Sequence, residues 1–215
     1  MWPSRFKVKI CGITSWRDAK LAIEAGADAL GFNFYPPSPR YITPSRARAI
    51  IRRLPRRVRS IGVFVDEPTD KVKQVVRKVG IDLLQLHGDE PPEQVAACAR
   101  LRPVIKAFHV RRGFRPAALA SYCCAAAFLL DGFSSKLPGG MGRRFDWRVA
   151  RRAKRYGRII LAGGLRPANI ARAIREVRPA AVDICSGLEA RPGRKDPARL
   201  RALREQLKGV RHLLR

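Results

Sequence analysis

Acidic side chains are scarce in this chain. Against 45 Lys+Arg stand only 17 Asp+Glu in 215 residues, a formal charge of +28. No apolar run approaches the ~20 residues a bilayer-spanning helix needs, and the opening M-W-P-S-R-F-K-V-K-I lacks the apolar stretch of a secretory leader. A chain that stays in the cytoplasm, with no membrane partner, is therefore expected. The five cysteines (Cys11, Cys98, Cys123, Cys124 and Cys185) are odd in number and show no C-x-x-C spacing, which argues against a zinc ribbon or a dithiol redox motif and for free thiols. Histidine occurs three times and never as H-x-H or H-E-x-x-H, so the strand-end set His87, His109, Cys11 and Cys185 is a weak candidate for a metal. What is plentiful is arginine. Its pairs are spread over nearly every helical stretch and do not gather in one basic block, so no dedicated nucleic-acid partner is expected, although non-specific polyanion binding is. With 46% hydrophobic residues, a chain of this size buries roughly 70% of its unfolded surface, enough for one domain over 1–215 without a staple.

Strand and helix patterns alternate along the whole chain. The apolar runs are 6–11, 29–34, 60–65, 83–86, 104–108, 126–130, 159–162 and 181–184. Between and after them lie helical patterns: one behind Ser15 and closed by Gly26, then 44–54 behind Thr43, 69–79 closed by Gly80, and 91–101. A short segment near 116–121 follows, then 146–155, 167–177 and 197–207. Short apolar strands without polar alternation are buried on both faces, as parallel strands covered by helices must be. Eight such units predict an α/β fold, a single (β/α)8 TIM barrel. A doubly wound sheet would need a glycine-rich fingerprint after the first strand, where C-G-I-T supplies one glycine.

In a barrel the chemistry sits just beyond each strand's C-terminal end. Cys11 closes the first run, and Lys9, two residues earlier, points to the same side. A thiol there is either a small core residue or, beside a cation, a base. Asp131 follows A-A-A-F-L-L, where burial would raise its pKa and suit it to acid work, with a loop-capping carboxylate as the plainer reading. The loops S-S-K-L-P-G-G-M-G, A-G-G-L and C-S-G-L predict a phosphate cradle from Gly140, Met141 and Gly142, Gly163 and Gly164, and Ser186 and Gly187, because glycine lets backbone N–H groups approach phosphate oxygens. Arg40, in the stiff Y-P-P-S-P-R-Y loop, is placed to clamp a carboxylate bidentately, or is one more surface arginine.

K-I-C-G-I-T, G-A-D-A-L-G-F-N-F-Y-P-P-S-P-R-Y, G-V-F-V-D, Q-L-H-G-D-E, L-L-D followed by G-G-M-G and F-D-W, A-G-G-L-R-P-A-N, and V-D-I-C-S-G-L-E with P-G-R-K-D occur in that order. Together they resemble the phosphoribosylanthranilate isomerase family of tryptophan biosynthesis. The resemblance implies an Amadori rearrangement of N-(5′-phosphoribosyl)anthranilate to 1-(2-carboxyphenylamino)-1-deoxyribulose 5-phosphate, with no metal or organic cofactor. It implies Asp131 as general acid, Cys11 as general base, Arg40 on the anthranilate carboxylate, Asp183 lining the pocket and the glycine loops on the phosphate. The chain departs from the family where hydroxyl residues are usual, with Gly132, Met141 and Cys185, and at Asn33, where an aliphatic residue is usual. Each lost hydroxyl forfeits a hydrogen bond worth about 0.5–1.5 kcal/mol net. Those departures keep open another phosphate-binding barrel enzyme acting on a sugar phosphate, and the charge keeps open a catalytically weak basic binding protein. The expected partner is a small phosphorylated molecule, and the expected assembly is a monomer or homodimer.

Overall fold

Residues 6–132 and 146–214 are described by the computed structural model. Their eight parallel strands close into a barrel in sequence order, with β8 returning to β1. The strands are β1 (Val8–Ile10), β2 (Ala29–Asn33), β3 (Arg59–Phe64), β4 (Leu83–Leu86), β5 (Val104–Val110), β6 (Ala127–Gly132), β7 (Ile159–Leu161) and β8 (Ala181–Ile184). The helices are α1 (Trp16–Glu24), α2 (Pro44–Ile51), α3 (Thr69–Val79), α4 (Pro92–Ala99), α5 (Trp147–Ala153), α6 (Pro167–Val177) and α7 (Pro197–Lys208). A short antiparallel pair, β9 (Glu189–Arg191) and β10 (Arg194–Lys195), follows β8 and has no counterpart in the reading of the sequence. Between β5 and β6 the short segment is a 3-10 helix, Pro116–Tyr122. Its first residue is a proline, and A-A-L-A buries only Leu119, too narrow an apolar face to hold a longer helix.

Local chemistry sets the helix ends. Ser15 accepts from the Asp18 N–H at 3.1 Å and Thr43 from the Arg46 N–H at 3.4 Å, caps worth ~1 kcal/mol each. Gly80 ends α3 in the left-handed region at φ 78°. Along α3, Val72, Val76 and Val79 recur at helical spacing and are buried, each contributing roughly 1.5–3 kcal/mol. α6 does the same with Ile170, Ile174 and Val177.

The two faces of each strand go to different cores. Outward residues such as Val8, Ile10, Leu84, Phe128 and Leu130 pack beneath the helices. Inward residues fill the barrel: Ala29, Ile61, Leu83, Ile105, Ala107, Ala127, Leu129, Ile160 and Ala181, with Phe6 joining them. Because successive strand residues alternate faces, two steps along an inward row reaches the next inward position. Ala127 and Leu129 thus lead to Asp131, Ile105 and Ala107 to His109, and Ala181 to Asp183 and then Cys185. The barrel's interior rows aim these side chains at its C-terminal mouth.

Candidate active site

On β1 the inward row is Lys9 and then Cys11. The β1–β8 register sets Lys9 opposite Asp183 and Ile10 opposite Ile184, and the Cys11 N–H continues the ladder to the Ile184 carbonyl at 2.9 Å. Lys9, wholly buried, donates from Nζ to Asp183 Oδ2 at 2.6 Å. Its burial works against the charge, but Asp183 and then Cys11 outweigh that and hold the ammonium above the ordinary lysine value. Asp183 is pushed up to about 6, first by burial, with Lys9 pulling the other way. Its Oδ1 is buried and meets no donor among the described residues.

Above this pair sits the half-buried Cys11. A hydrogen bond from the Cys185 thiol, and then the Lys9 and Lys195 cations, hold Cys11 well below the usual thiol range although burial opposes them. The same contact and burial push Cys185 up, so Cys11 is the member of the pair that ionises. Room for its sulfur comes from β2, where a Cβ on Gly31 would lie 2.6 Å from Cys11 Sγ. Glycine is needed there for space.

Asp131 faces the mouth from β6, three strands away. Its charge and that of Cys11 both oppose ionisation of Asp183, so the three groups share one basin. The apolar run that precedes Asp131 buries the strand but not the carboxylate, whose side chain is 30% exposed. This corrects the expectation, drawn from the apolar run, that the Asp131 side chain is buried. Its neighbour is His87, with Nε2 3.5 Å from Asp131 Oδ2. The Gln85 amide nitrogen lies 2.7 Å from His87 Nδ1; with that nitrogen accepting, the ring proton is on Nε2 and faces Asp131. His109, directly across the β5–β6 ladder from Asp131, stacks near His87 with ring centroids 5.2 Å apart. Burial and then His87 lower its pKa. Ligand atoms of His87, His109 and Asp131 all lie within 4.8 Å of one another, so among the described residues these three, and not the cysteine set considered from the sequence, have the spacing for a cation.

Arg40 is not an open clamp. Its Nε lies 2.9 Å from Glu189 Oε1 and its Nη2 2.6 Å from Glu189 Oε2, so a carboxylate of the protein occupies the fork. Glu189 also accepts from Lys195 Nζ at 3.2 Å. Burial alone would raise its pKa, but Arg40 and Lys195 hold it below the ordinary value. This corrects the expectation of a guanidinium with both donors turned to a ligand, while its side chain remains 23% exposed. Sequence reading assigned no role to Glu189 and Lys195, although both lie in the motifs S-G-L-E and P-G-R-K-D.

A second buried pair supports the His87 loop. Lys106 Nζ donates to Glu90 Oε2 at 2.8 Å and to the Gly88 carbonyl at 2.7 Å, and Glu90 accepts from the N–H groups of Asp66 and Gly88. The lysine inside V-I-K-A-F was the available signal, since a charge in a buried strand needs a partner.

Of the expected phosphate loops, Gly140, Met141 and Gly142 lie outside the described residues. Gly163 and Gly164 have φ 79° and 64°. A Cβ on Gly163 would fall 2.2 Å from the Gly132 nitrogen and 2.8 Å from Asp131 Oδ1, whereas at Gly164 it would meet nothing within 4 Å. A Cβ on Gly187 would strike the Leu165 carbonyl at 2.0 Å, binding the Ser186-Gly187 turn to the loop after β7. Gly163→Ala is expected to displace the end of β6 and Asp131 with it. The measurement is thermal melting, which should fall; an unchanged melt would contradict this packing.

The Asp183 shift gives a stability prediction. Its folded pKa of about 6 exceeds an unfolded value near ~3.9, so between those pH values the folded chain holds a proton that the unfolded chain has lost. Stability from this group is therefore present at low pH and lost as pH rises through that window, by about 2–3 kcal/mol at ~1.4 kcal/mol per pH unit. Denaturant midpoints of the wild type, taken relative to Asp183→Asn, should decline over the same interval. A flat difference would contradict a buried, raised carboxyl.

A family model described as N-(5′phosphoribosyl)anthranilate (PRA) isomerase matches residues 8–206. The N-(5′-phosphoribosyl)anthranilate isomerase of Citrifermentans bemidjiense is 52% identical over 205 residues, 95% of this chain and 98% of that one. The crystal structure of phosphoribosyl anthranilate isomerase from Thermotoga maritima superposes with a TM-score of 0.87 at 43% identity, covering 95% of this chain and 99% of that one. A phosphoribosyl anthranilate isomerase in complex with reduced 1-(o-carboxyphenylamino)-1-deoxyribulose 5-phosphate does so with a TM-score of 0.84 at 40% identity, covering 95% and 99%. With a family model spanning nearly the whole barrel and a relative of more than half identity over the same length, the chain belongs to the N-(5′-phosphoribosyl)anthranilate isomerase family.

Proposed function

We propose that this protein isomerises N-(5′-phosphoribosyl)anthranilate to 1-(2-carboxyphenylamino)-1-deoxyribulose 5-phosphate, with Asp131 as general acid and Cys11 as general base. The observation that carries the reading is the cross-strand stack of Lys9 on Asp183 beneath Cys11, facing Asp131 across one mouth. A buried cation directly below a thiol favours its thiolate, which is the form that can take a proton from carbon. A relative of 40% identity crystallised with a reduced 1-(o-carboxyphenylamino)-1-deoxyribulose 5-phosphate supports the substrate class.

In this reaction Asp131 donates its proton to the ribose ring oxygen. The C1′–O bond breaks and the nitrogen lone pair forms the Schiff base. The His87 ring proton facing Asp131 Oδ2 stabilises the carboxylate left behind. Cys11 thiolate then removes the C2′ proton, the electrons flow to the iminium nitrogen, and the resulting enolamine tautomerises to the ketone. Asp183 Oδ1, buried and without a donor among the described residues, is suited to accept from a ribose hydroxyl. The exposed part of Arg40, held in place by Glu189, would meet the anthranilate carboxylate. Gly164, Ser186 and Gly187, together with Gly163 and the 140–142 loop, would hold the phosphate through backbone N–H groups.

The test is the change in anthranilate fluorescence when purified protein meets phosphoribosylanthranilate. Asp131→Asn is expected to lower kcat by roughly 10²–10⁴-fold, the usual worth of a positioned acid, with substrate binding retained. Turnover of a different sugar phosphate only, or none beside tight nucleic-acid binding, would replace this reading.

A further inference from the structure

The geometry points to a covalent modification site at the mouth: we propose that Cys11 and Cys185 form a reversible disulfide when a hydroperoxide enters the basin. The β1–β8 ladder pairs Lys9 with Asp183 and Ile10 with Ile184, and the Cys11 N–H bonds to the Ile184 carbonyl at 2.9 Å. Cys11 and Cys185 are the next neighbours on that ladder and follow Lys9 and Asp183 on the inward face by the two-residue period. Parallel neighbours lie ≈ 4.7–4.9 Å apart, inside the ≈ 4.4–6.8 Å between Cα atoms that a disulfide spans. Cys185 Sγ turns toward this end of β1, where a Cβ on Gly12, the residue after Cys11, would lie 3.2 Å from it. Both are half-buried at the open end of the barrel, whereas Cys98 is buried. Lys9 and Lys195 supply the positive charge that keeps Cys11 reactive. A low-pKa accessible thiol beside a resolving cysteine is the arrangement of redox-sensitive sites. A serine at 185 could donate the same hydrogen bond but could not close the second sulfur bond.

The chemistry balances in two steps. Cys11 thiolate attacks one peroxide oxygen, the O–O bond breaks, hydroxide or alkoxide leaves and takes a proton, and the sulfur becomes a sulfenic acid after two-electron oxidation. The Cys185 sulfur, giving up its proton, then attacks the Cys11 sulfur, the S–S bond forms and the sulfenic oxygen leaves as water. In sum hydrogen peroxide is reduced to two waters, or an organic hydroperoxide to one alcohol and one water, and the two thiols are oxidised to one disulfide. Loss of isomerase activity on oxidation rests on Cys11 being the base; the bond itself does not.

The experiment treats the full chain with hydrogen peroxide and maps its peptides by mass spectrometry, with activity measured on the same samples. A Cys123→Ser/Cys124→Ser background removes the exposed vicinal thiols, whose sulfurs lie 4.0 Å apart. Expected are a mass loss of two hydrogens, a Cys11–Cys185 cross-linked peptide, and activity that falls with its appearance and returns with dithiothreitol. In Cys185→Ser the cross-link is absent and Cys11 advances to sulfinic acid, so dithiothreitol no longer restores whatever activity that variant has. Peroxide-treated wild type that carries Cys11 sulfinic acid without the cross-link, or in which neither thiol reacts, would overturn the proposal. A cross-link forming in a chain without isomerase activity would sustain it while removing the proposed function.

Discussion

Cys11→Ser is expected to lower kcat by about 10²–10⁴-fold with KM changed no more than a few-fold. Serine keeps the size, the strand position and the contact with Cys185, so the mouth retains its shape. What it cannot keep is the ionised state. Lys9 and Lys195 sit close enough to hold a thiol as thiolate, but an alcohol ionises so much less readily that the same cations leave it protonated. The variant therefore removes proton abstraction and little else, which is why the loss should fall on kcat. Single-turnover fluorescence separates that step from product release. Near wild-type kcat would show that the C2′ proton goes elsewhere.

Lys9→Met should have the largest effect on stability, a loss of about 3–5 kcal/mol, because it leaves a buried carboxylate without its counter-charge. For a chain of this length ~1 kcal/mol moves Tm by about 2–4 °C, so the melt should fall by ~6–20 °C. Asp183 can recover part of this by taking up a proton, since its pKa already stands at about 6. The same change strips Cys11 of a nearby cation, so residual activity should shift to higher pH. Lys9→Met combined with Asp183→Leu separates the two roles. Replacing a buried ion pair with apolar groups is often neutral, so the double variant should regain most of the melting temperature and none of the activity. A double variant as active as the wild type would contradict the role given to Lys9.

Much of this arrangement was legible in the chain because barrel strands repeat every two residues and helices nearly every four. The runs at 83–86 and 181–184 and the helices at 69–79 and 167–177 match the structure residue for residue. Cys11 and Asp131 could be placed at strand ends because position along an apolar run is a local property, whereas Asp183, inside the run 181–184, was pointed to only by the family resemblance. Pairings across strands were not legible. Lys9 meets Asp183 only because closure sets β1 beside β8, a contact between residues 174 apart in sequence. Glu189 occupying the Arg40 fork depends on a turn after β8 folding back to the loop after β2, and no spacing rule announces it. The exposure of Asp131 was missed for a related reason. Apolar neighbours fix the burial of a strand, whereas the last inward position opens to solvent at the mouth. Gly31 gave no turn or phosphate signal, since its function is to leave space for a sulfur from another strand.

The most direct measurement follows the ultraviolet absorbance of the Cys11 thiolate, taken as the difference between the chain and Cys11→Ser, alongside the single-turnover rate on phosphoribosylanthranilate as pH is varied. The expected result is that absorbance and rate rise together on the basic side of one titration, with a midpoint below the ~8.5 of an ordinary thiol. A thiol that ionises at or above that value, or a rate indifferent to its ionisation, would contradict the assignment of Cys11 as the base.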